Sequence, residues 1–425
     1  MTDRPPPAAS PSAGSARALL VHAFRTALDA VEPERAVREH LEADPLPEGV
    51  VKVVAFGKAA PGMCRGAADV LGNRILGGVA VCDHEEPVPH GVRLFVGGHP
   101  YPDERSIFGG SALLSEARHA RPDEILLVLA SGGGSALAES LPAGIALDDA
   151  TATHRVLMNA GVPIEELNTV RRHLSTFKQG GLLRASQART IVTLLISDVV
   201  DGPPSAIASG PTLPDDSTPA DALAVIDGAG LRDRIPAAVI QHLESVEPPA
   251  RPESHHRWAV VADGSTVAHA AQSELARSAG LRAPIITTTL RGEASVQGRR
   301  MVEAARPGMA LLAAGETTVT VRGRGSGGRN QEAALSAALA IEGSGDIVFG
   351  AFATDGVDGP TNAAGAVVDG GTTERIRAAG VDPEAALSAN DSHRALDASG
   401  DLVLTGPTGT NVCDLWITWR APDQA

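Results

Sequence analysis

The sequence predicts an α/β protein of two domains. Three observations carry that prediction. Short runs rich in Val, Ile and Leu recur along the chain and alternate with stretches of helical periodicity. The runs are continuously apolar, as in strands of a mainly parallel sheet covered by helices on both faces. One polar, Pro-rich stretch, 246–256 (VEPPARPESHH), interrupts the pattern and reads as a boundary.

Taken in order, residues 1–15 form a Pro/Ala/Ser-rich tail expected to be disordered. A helix opens near Ser15, with Leu20, Phe24, Ala27, Leu28 and Val31 on one face. A first and larger domain of 16–246 carries strands expected at 50–56, 77–82, 92–97, 124–130 and 190–197. A linker of 247–256 leads to a smaller α/β domain of 257–425. Its strands are expected at 258–262, 284–289, 309–314, 317–321, 346–353, 402–404 and 415–419.

Composition excludes several kinds of function. The 425 residues include 36 Lys and Arg against 51 Asp and Glu, a net charge of −15. An acidic chain with no basic run does not neutralise a phosphate backbone, so no nucleic-acid partner is expected. Only 11 residues are aromatic, too few for base-stacking platforms. No apolar run approaches the ~20 residues of a membrane span, and the N-terminus lacks the apolar core of a secretory signal. Cys64, Cys82 and Cys413 stand far apart, without the spacing of a disulfide framework or a thiolate zinc site. A soluble, cytoplasmic protein is expected, with homo-oligomerisation left open.

The chain holds 46 glycines, and their placement says what they are for. They cluster directly after the strand-like runs. In open α/β sheets ligands bind beyond the carboxyl ends of the strands, so those positions locate the chemistry. They read Gly57-Lys58, Gly98-His99, Ser131-Gly132-Gly133-Gly134-Ser135, Asp198, Gly315-Glu316, Asp355-Gly356 and Thr405-Gly406. Such convergence points to an enzyme.

Three consecutive glycines between serines suit a backbone cradle for phosphate or carboxylate. The alternative is an ordinary tight turn, which seldom needs three glycines. Lys58 could aim its ammonium at a phosphate; the alternative is a solvated lysine, in a chain with only three lysines against 33 arginines. Gly323-x-Gly325-x-x-Gly328 meets the dinucleotide fingerprint, but the acid expected downstream would be Glu342 or Asp346, both in a loop. An anion site formed by Gly327, Gly328 and Arg329 at a helix start is the better reading. Asp355 and Asp358, with Asp198 from another strand end, offer hard oxygens for Mg²⁺; plain Asp-Gly turn chemistry is the alternative. Thr408 and Asn411 lie in a hydroxyl- and glycine-rich loop suited to a phosphate contact. Arg171 or Arg172 could grip a carboxylate. His99 and His173 read as capping or core residues rather than ligands.

Nine motifs then occur in a fixed order: GKAA, GHPYPDE, SGGGSAL, LNTVRRHLSTFKQGG, LISDV…ASGPT, GGRNQE, TDGVDGPTNAAGAVVD, ANDS and TGPTGTNVCDL. Together, from about residue 16 to 418, they resemble the glycerate 2-kinases, the class II or MOFRL-type glycerate kinases. The resemblance implies a Rossmann-like N-terminal domain and a smaller MOFRL-type C-terminal domain, with the active site in the cleft between them. It implies D-glycerate and ATP as substrates, Mg²⁺ as cofactor and 2-phospho-D-glycerate as product. It places the family's proposed catalytic pair on Lys58 and Arg329. The rival reading is an NAD(P)-dependent hydroxypyruvate reductase, suggested by the G-x-G-x-x-G run and a chemically neighbouring substrate.

Overall fold

A computed structural model of the chain describes residues 13–247 and 255–423. Most of the expected tail 1–15, and the middle of the expected linker 247–256, lie outside the described residues. The chain divides into two compact units. One is 33–261; the other is discontinuous, made of 1–32 and 262–425. The sequence expectation puts residues 16–32 in the first domain, whereas in the structure they group with the second unit.

The unit 33–261 is built on a six-stranded sheet. Its strands are β1 (Val51–Phe56), β2 (Ile75–Cys82), β3 (Val92–Val96), β4 (Ile125–Ala130), β5 (Thr190–Ile196) and β6 (His255–Ala262), in the spatial order 3-2-1-4-5-6. The pairs from β3 through β5 are all parallel. Both faces are covered, which is why these strands carry unbroken apolar runs. Val54, Phe56, Val79, Val81, Leu126 and Val128 pack on Leu113, Leu114, Phe177 and Leu182. The opposite face of β1 and β2 meets the helix Ala60–Leu71. Strands after β1 add on one side of it and β4 starts the other side. The order therefore reverses between β1 and β4, the switch point at which doubly wound sheets open a crevice.

A further cluster gathers four helices, Leu147–Asn159, Ile164–His173, Pro219–Gly228 and Ala237–Ser245, around Leu157, Leu167, Val170, Ile226, Val239 and Leu243.

The second unit carries β7 (Ile285–Leu290), β8 (Met309–Gly315), β9 (Ile347–Ala353), β10 (Gly365–Asp369), β11 (Leu402–Val403) and β12 (Asp414–Arg420), in the order 11-10-9-12-8-7. Only β7 and β8 pair in parallel; the remaining pairs are antiparallel, so this sheet is mixed. One face packs on the helix Arg329–Ala340 through Ala333, Ala334, Ala337 and Trp416. The other is covered by Gly264–Ala279 and by the N-terminal helix Ala13–Ala30, whose Phe24 stacks on Phe352 with centroids 4.4 Å apart. That burial is why the first helix joins a sheet formed some 300 residues later.

Two strand expectations change. The run 317–321 contributes only a bridge of Thr318 to Glu293, because both neighbours of β8 in the sheet are already supplied by β7 and β12. Strand β10, GAVVD, goes unread in the sequence. The run at 258–262 is a strand, but it edges the first sheet instead of opening the second.

Candidate functional site

At the switch point, the ends of β1 and β4 are tied together before any ligand is considered. Lys58 donates its amide to the Gly132 carbonyl at 3.0 Å, and the Ala59 amide donates to Ser131 Oγ at 3.0 Å. Ser131 is buried, so its hydroxyl locks the turn rather than facing a ligand. Gly57 holds φ +115°, and a Cβ there would lie 2.2 Å from Ser131 Oγ. Glycine is required by both backbone and space.

The triple glycine is a close-packed crossing point. A Cβ on Gly132 would fall 2.2 Å from Asp198 Oδ2. On Gly133, in the left-handed region at φ +81°, it would come within 3.2 Å of Lys58 Cγ and 3.3 Å of His99 Cδ2. The backbone thus brings Lys58, His99 and Asp198 around one turn. The amides of Gly132 and Gly133 make no hydrogen bond to protein among the described residues, leaving two donors in that turn. Partial burial and the charge of Lys58 hold the His99 imidazole below its usual range. Ser135 Oγ lies 2.7 Å from the hydroxyl of Ser209, a non-glycine residue in the left-handed region at φ 62°.

Behind the turn is a charged layer. Arg171 donates to the Ser135 carbonyl at 3.4 Å. Lys178 is fully buried and pairs with Glu139, which also accepts from Ser175 Oγ and the Ser140 amide. Burial favours the neutral form of Lys178, and the charge of Glu139 opposes it. The His154 imidazole, against Tyr101 and beside this layer, is pushed down to about 4 by burial and then by Arg171 and Lys178. Arg172 turns away from the layer and pairs with Asp215. His173 is buried with Nε2 on Ser217, a core role as expected. Sequence reading passed over Glu139 and His154: a lone acid in a loop and a lone histidine in a helix give no signal until the fold packs them together.

The second unit concentrates its charge at Asp414, the first residue of β12, which is in register with Gly315 at the end of β8 and Ala353 at the end of β9. Arg329 reaches this position with Nε on Asp414 Oδ2 at 2.7 Å, and places Nη1 on Glu316 at 2.7 Å. Burial pushes the Asp414 carboxyl up to about 7 against the pull of Arg329. Asn330 donates to Asp358 and Asp414 and accepts from Trp416 Nε1 at 2.7 Å. Gln331 donates to Asp358 and Thr361, and its carbonyl faces His393 at 2.8 Å. The side chains of Arg329, Asn330 and Gln331 are thereby all held by protein partners.

This geometry bears on two expectations. Asp358 is 1% exposed, and its two oxygens accept from the Asn330 and Gln331 amides at 3.0 and 2.8 Å as well as from both side chains. It is the anion at the N-terminus of the Arg329–Ala340 helix. With its lone pairs on N–H donors, it has none directed to a metal. The 322–326 loop is pinned likewise: the Arg322 and Gly323 amides donate to Asn390, Gly325 to the Ala389 carbonyl and Ser326 to Asp391. A Cβ on Gly327 or Gly328 would strike Ser392 or Asp358. Close packing requires glycine at both positions, while among the described residues the Gly327 and Gly328 amides make no hydrogen bond to protein.

Asp355 accepts from the Val357 amide at 3.1 Å and remains half-buried at the end of β9. Thr408 holds it from behind, accepting nothing from it: the Thr408 amide donates to the Asp355 carbonyl, and its hydroxyl to the Thr354 carbonyl at 2.6 Å. Asn411 turns its side-chain oxygen to the Cys413 amide. Thr408 and Asn411 thus shape the loop. Lys58, Ser131–Ser135, Arg171 and Asp198 gather in the first unit; Gly327, Gly328, Arg329, Asp355 and Asp358 belong to the second. Among the described residues no helix is long and apolar enough to cross a membrane.

The first unit's topology is that of a doubly wound α/β protein, with Lys58, Ser131–Ser135 and Asp198 at its switch point. The domain-of-unknown-function model DUF4147 matches residues 19–244, and the MOFRL family model matches 309–414. The D-glycerate 2-kinase of Thermotoga maritima is 40% identical, covering 95% of this chain and 98% of that protein. A putative hydroxypyruvate reductase of Agrobacterium vitis is 39% identical, with 94% of each covered. The crystal structure of glycerate kinase from Thermotoga maritima aligns with a TM-score of 0.89 at 38% identity, over 96% of this chain and all of that one. The chain belongs to the glycerate kinase family.

Proposed function

We propose that this protein is a D-glycerate 2-kinase, transferring the γ-phosphoryl group of ATP to the 2-hydroxyl of D-glycerate and releasing ADP and 2-phospho-D-glycerate. The observation that carries the reading is the turn that brings Lys58 and Asp198 against the Gly132–Gly133 backbone, in a chain of this family.

In-line phosphoryl transfer asks for positioning and charge neutralisation more than for covalent chemistry by the protein. The substrate O2 forms a bond to phosphorus as the bond from phosphorus to the β,γ-bridging oxygen breaks, and the electron pair leaves with ADP. Lys58 and the two free amides supply the positive field for an anionic group. Arg171 gives a counter-charge for the glycerate carboxylate. Asp198 is either the carboxylate that takes the hydroxyl proton or one that holds Mg²⁺. Arg329 supplies the second cation of the family's pair, with its orientation set by Asp414 and Glu316.

Mg²⁺ is usually held by one or two carboxylates together with substrate phosphates, and it neutralises their charge when bound. Asp198 and Asp355 fit that demand as single carboxylates in their own units; Asp358 does not. No group of three or more metal-binding side chains occurs among the described residues, and this mode of binding requires none.

Product identification by ¹H and ³¹P NMR after incubation with D-glycerate and Mg-ATP tests the reading. 2-Phosphoglycerate is expected. 3-Phosphoglycerate would overturn the position of transfer, and absence of ADP the reaction class. The Agrobacterium relative's name favours a second reading, reduction of hydroxypyruvate. Its mark would be NADH oxidation on adding hydroxypyruvate.

A further inference from the structure

A cavity of about 390 Å³ opens on the flank of the first unit, away from the switch point. Arg118 closes the helix Glu104–His119 on the side that leads into β4, and Arg184 lies on Gly181–Ala185 just ahead of β5. Both stand on the incoming side of strands whose outgoing ends carry Ser131–Ser135 and Asp198.

In a chain of charge −15, the lining reverses sign. Arg118, Arg172 and Arg184, with His173 and His242 beside them, face Glu247, the one acidic lining residue among the described residues. Arg184 is half-buried. It donates to the Gln179 carbonyl at 2.6 Å, and no carboxylate pairs with it among the described residues. Arg172 meets Asp215 through Nη1, while its buried Nε has no acceptor. A partly desolvated guanidinium without a counter-ion and a buried N–H without an acceptor are both costly, and an anion bound among Arg118, Arg172 and Arg184 would supply the missing counter-charge.

The cavity is also joined to the switch point. Arg171 donates to the Ser135 carbonyl, whereas Arg172, the next residue on the same helix, lines the cavity. Lys178 and Gln179 divide in the same way: Lys178 pairs with Glu139, and Gln179 lines the cavity and binds Asp215 through its side chain. A ligand that moved Arg172 or Gln179 would therefore move Arg171 or Lys178.

We infer that this cavity is an effector site for a small polyanion bearing two or more carboxylate or phosphate groups. It is coupled through the helix Ile164–His173 to the turn at Ser135. The kinetic part of the test rests on the glycerate kinase reading; the binding part does not.

Calorimetric titration of citrate and of pyrophosphate into the wild-type protein, Arg184→Gln and Lys58→Ala is the experiment. Expected is saturable binding of at least one anion to wild type, kept in Lys58→Ala and weakened about tenfold or more in Arg184→Gln. At fixed free Mg²⁺ the bound anion should shift KM for D-glycerate in wild type and not in Arg184→Gln, whose kcat without the anion stays at the wild-type value. No binding of either anion at millimolar concentration overturns the site. Binding lost in Lys58→Ala but kept in Arg184→Gln also overturns it, since the anion then occupies the switch point. Binding without any change in KM or kcat overturns the effector role. Should the protein show no kinase activity, calorimetry alone decides whether the anion site exists.

Discussion

Arg329 and Asp414 form a two-point clamp, Nε to Oδ2 at 2.7 Å and Nη2 to Oδ1 at 3.0 Å, with the carboxylate buried beneath the guanidinium. Paired parallel bonds of this kind fix a plane as well as a position. If Arg329 acts on a phosphoryl group, Asp414 decides where it points. Asp414→Asn keeps the shape and removes the charge, and kcat is expected to fall about 10- to 100-fold with a smaller change in KM. Steady-state kinetics of Asp414→Asn beside Arg329→Lys would check this, since lysine cannot reproduce the fork.

The same carboxylate makes stability depend on pH. Its folded-state pKa, about 7, lies above the value near 4 of an unfolded chain. Between those values the folded protein holds the proton and the unfolded chain does not, so stability falls as pH rises from about 4 to about 7. The slope from this group is at most about 1.4 kcal/mol per pH unit. Denaturant titrations across that range should show a slope in wild type that is reduced in Asp414→Asn.

His154 runs in the opposite sense. Its folded-state pKa of about 4 is below the unfolded 6.5, so its share of stability is complete above 6.5 and is lost as pH falls towards 4. A His154→Gln variant should resist that loss, measured as the pH dependence of Tm in the weakly acidic range.

Lys178 and Glu139 are a buried pair. Removing one partner leaves an uncompensated charge, and Lys178→Met should cost about 3–5 kcal/mol. Replacing both, as Lys178→Met with Glu139→Leu, should recover much of it. Urea denaturation of the two variants makes the comparison.

Gly132→Ala tests the crossing at the switch point. The added methyl would stand 2.2 Å from Asp198 Oδ2, so the carboxylate or the turn must move. A loss in kcat of about 100-fold or more is expected, with thermal unfolding close to wild type, if Asp198 takes part in transfer. Unchanged kcat would remove Asp198 from the chemistry.

Asp358 shows how a site residue is misread from sequence. Two acids spaced as Asp355-Gly-Val-Asp358 suit a metal loop, and nothing local says otherwise. What decides is the helix Arg329–Ala340, whose first amides need an acceptor and find it in a residue 27 or 28 positions later in the chain. Asp358→Ala should therefore lower hydrogen-exchange protection at the start of that helix, by about 2 kcal/mol or more. The strand run 317–321 failed for a kindred reason. A strand is defined by its partners, and β7 and β12 already flank β8.

By itself the sequence determined the α/β class, the positions of most strands, and the glycine turns after β1 and β4. Those depend on local periodicity and on φ values that only glycine adopts easily, and both are written in neighbouring residues. The ordered motifs also placed the chain in its family. The tertiary structure alone decided that the first helix belongs to the second unit, that the second sheet is mixed, and that Asp358 and Ser131 serve the fold. It also decided that Glu139, Glu316 and Asp414 orient the cations. These are outcomes of burial and hydrogen-bond satisfaction between residues tens to hundreds of positions apart, where the cost of leaving a polar group unpaired selects the partner.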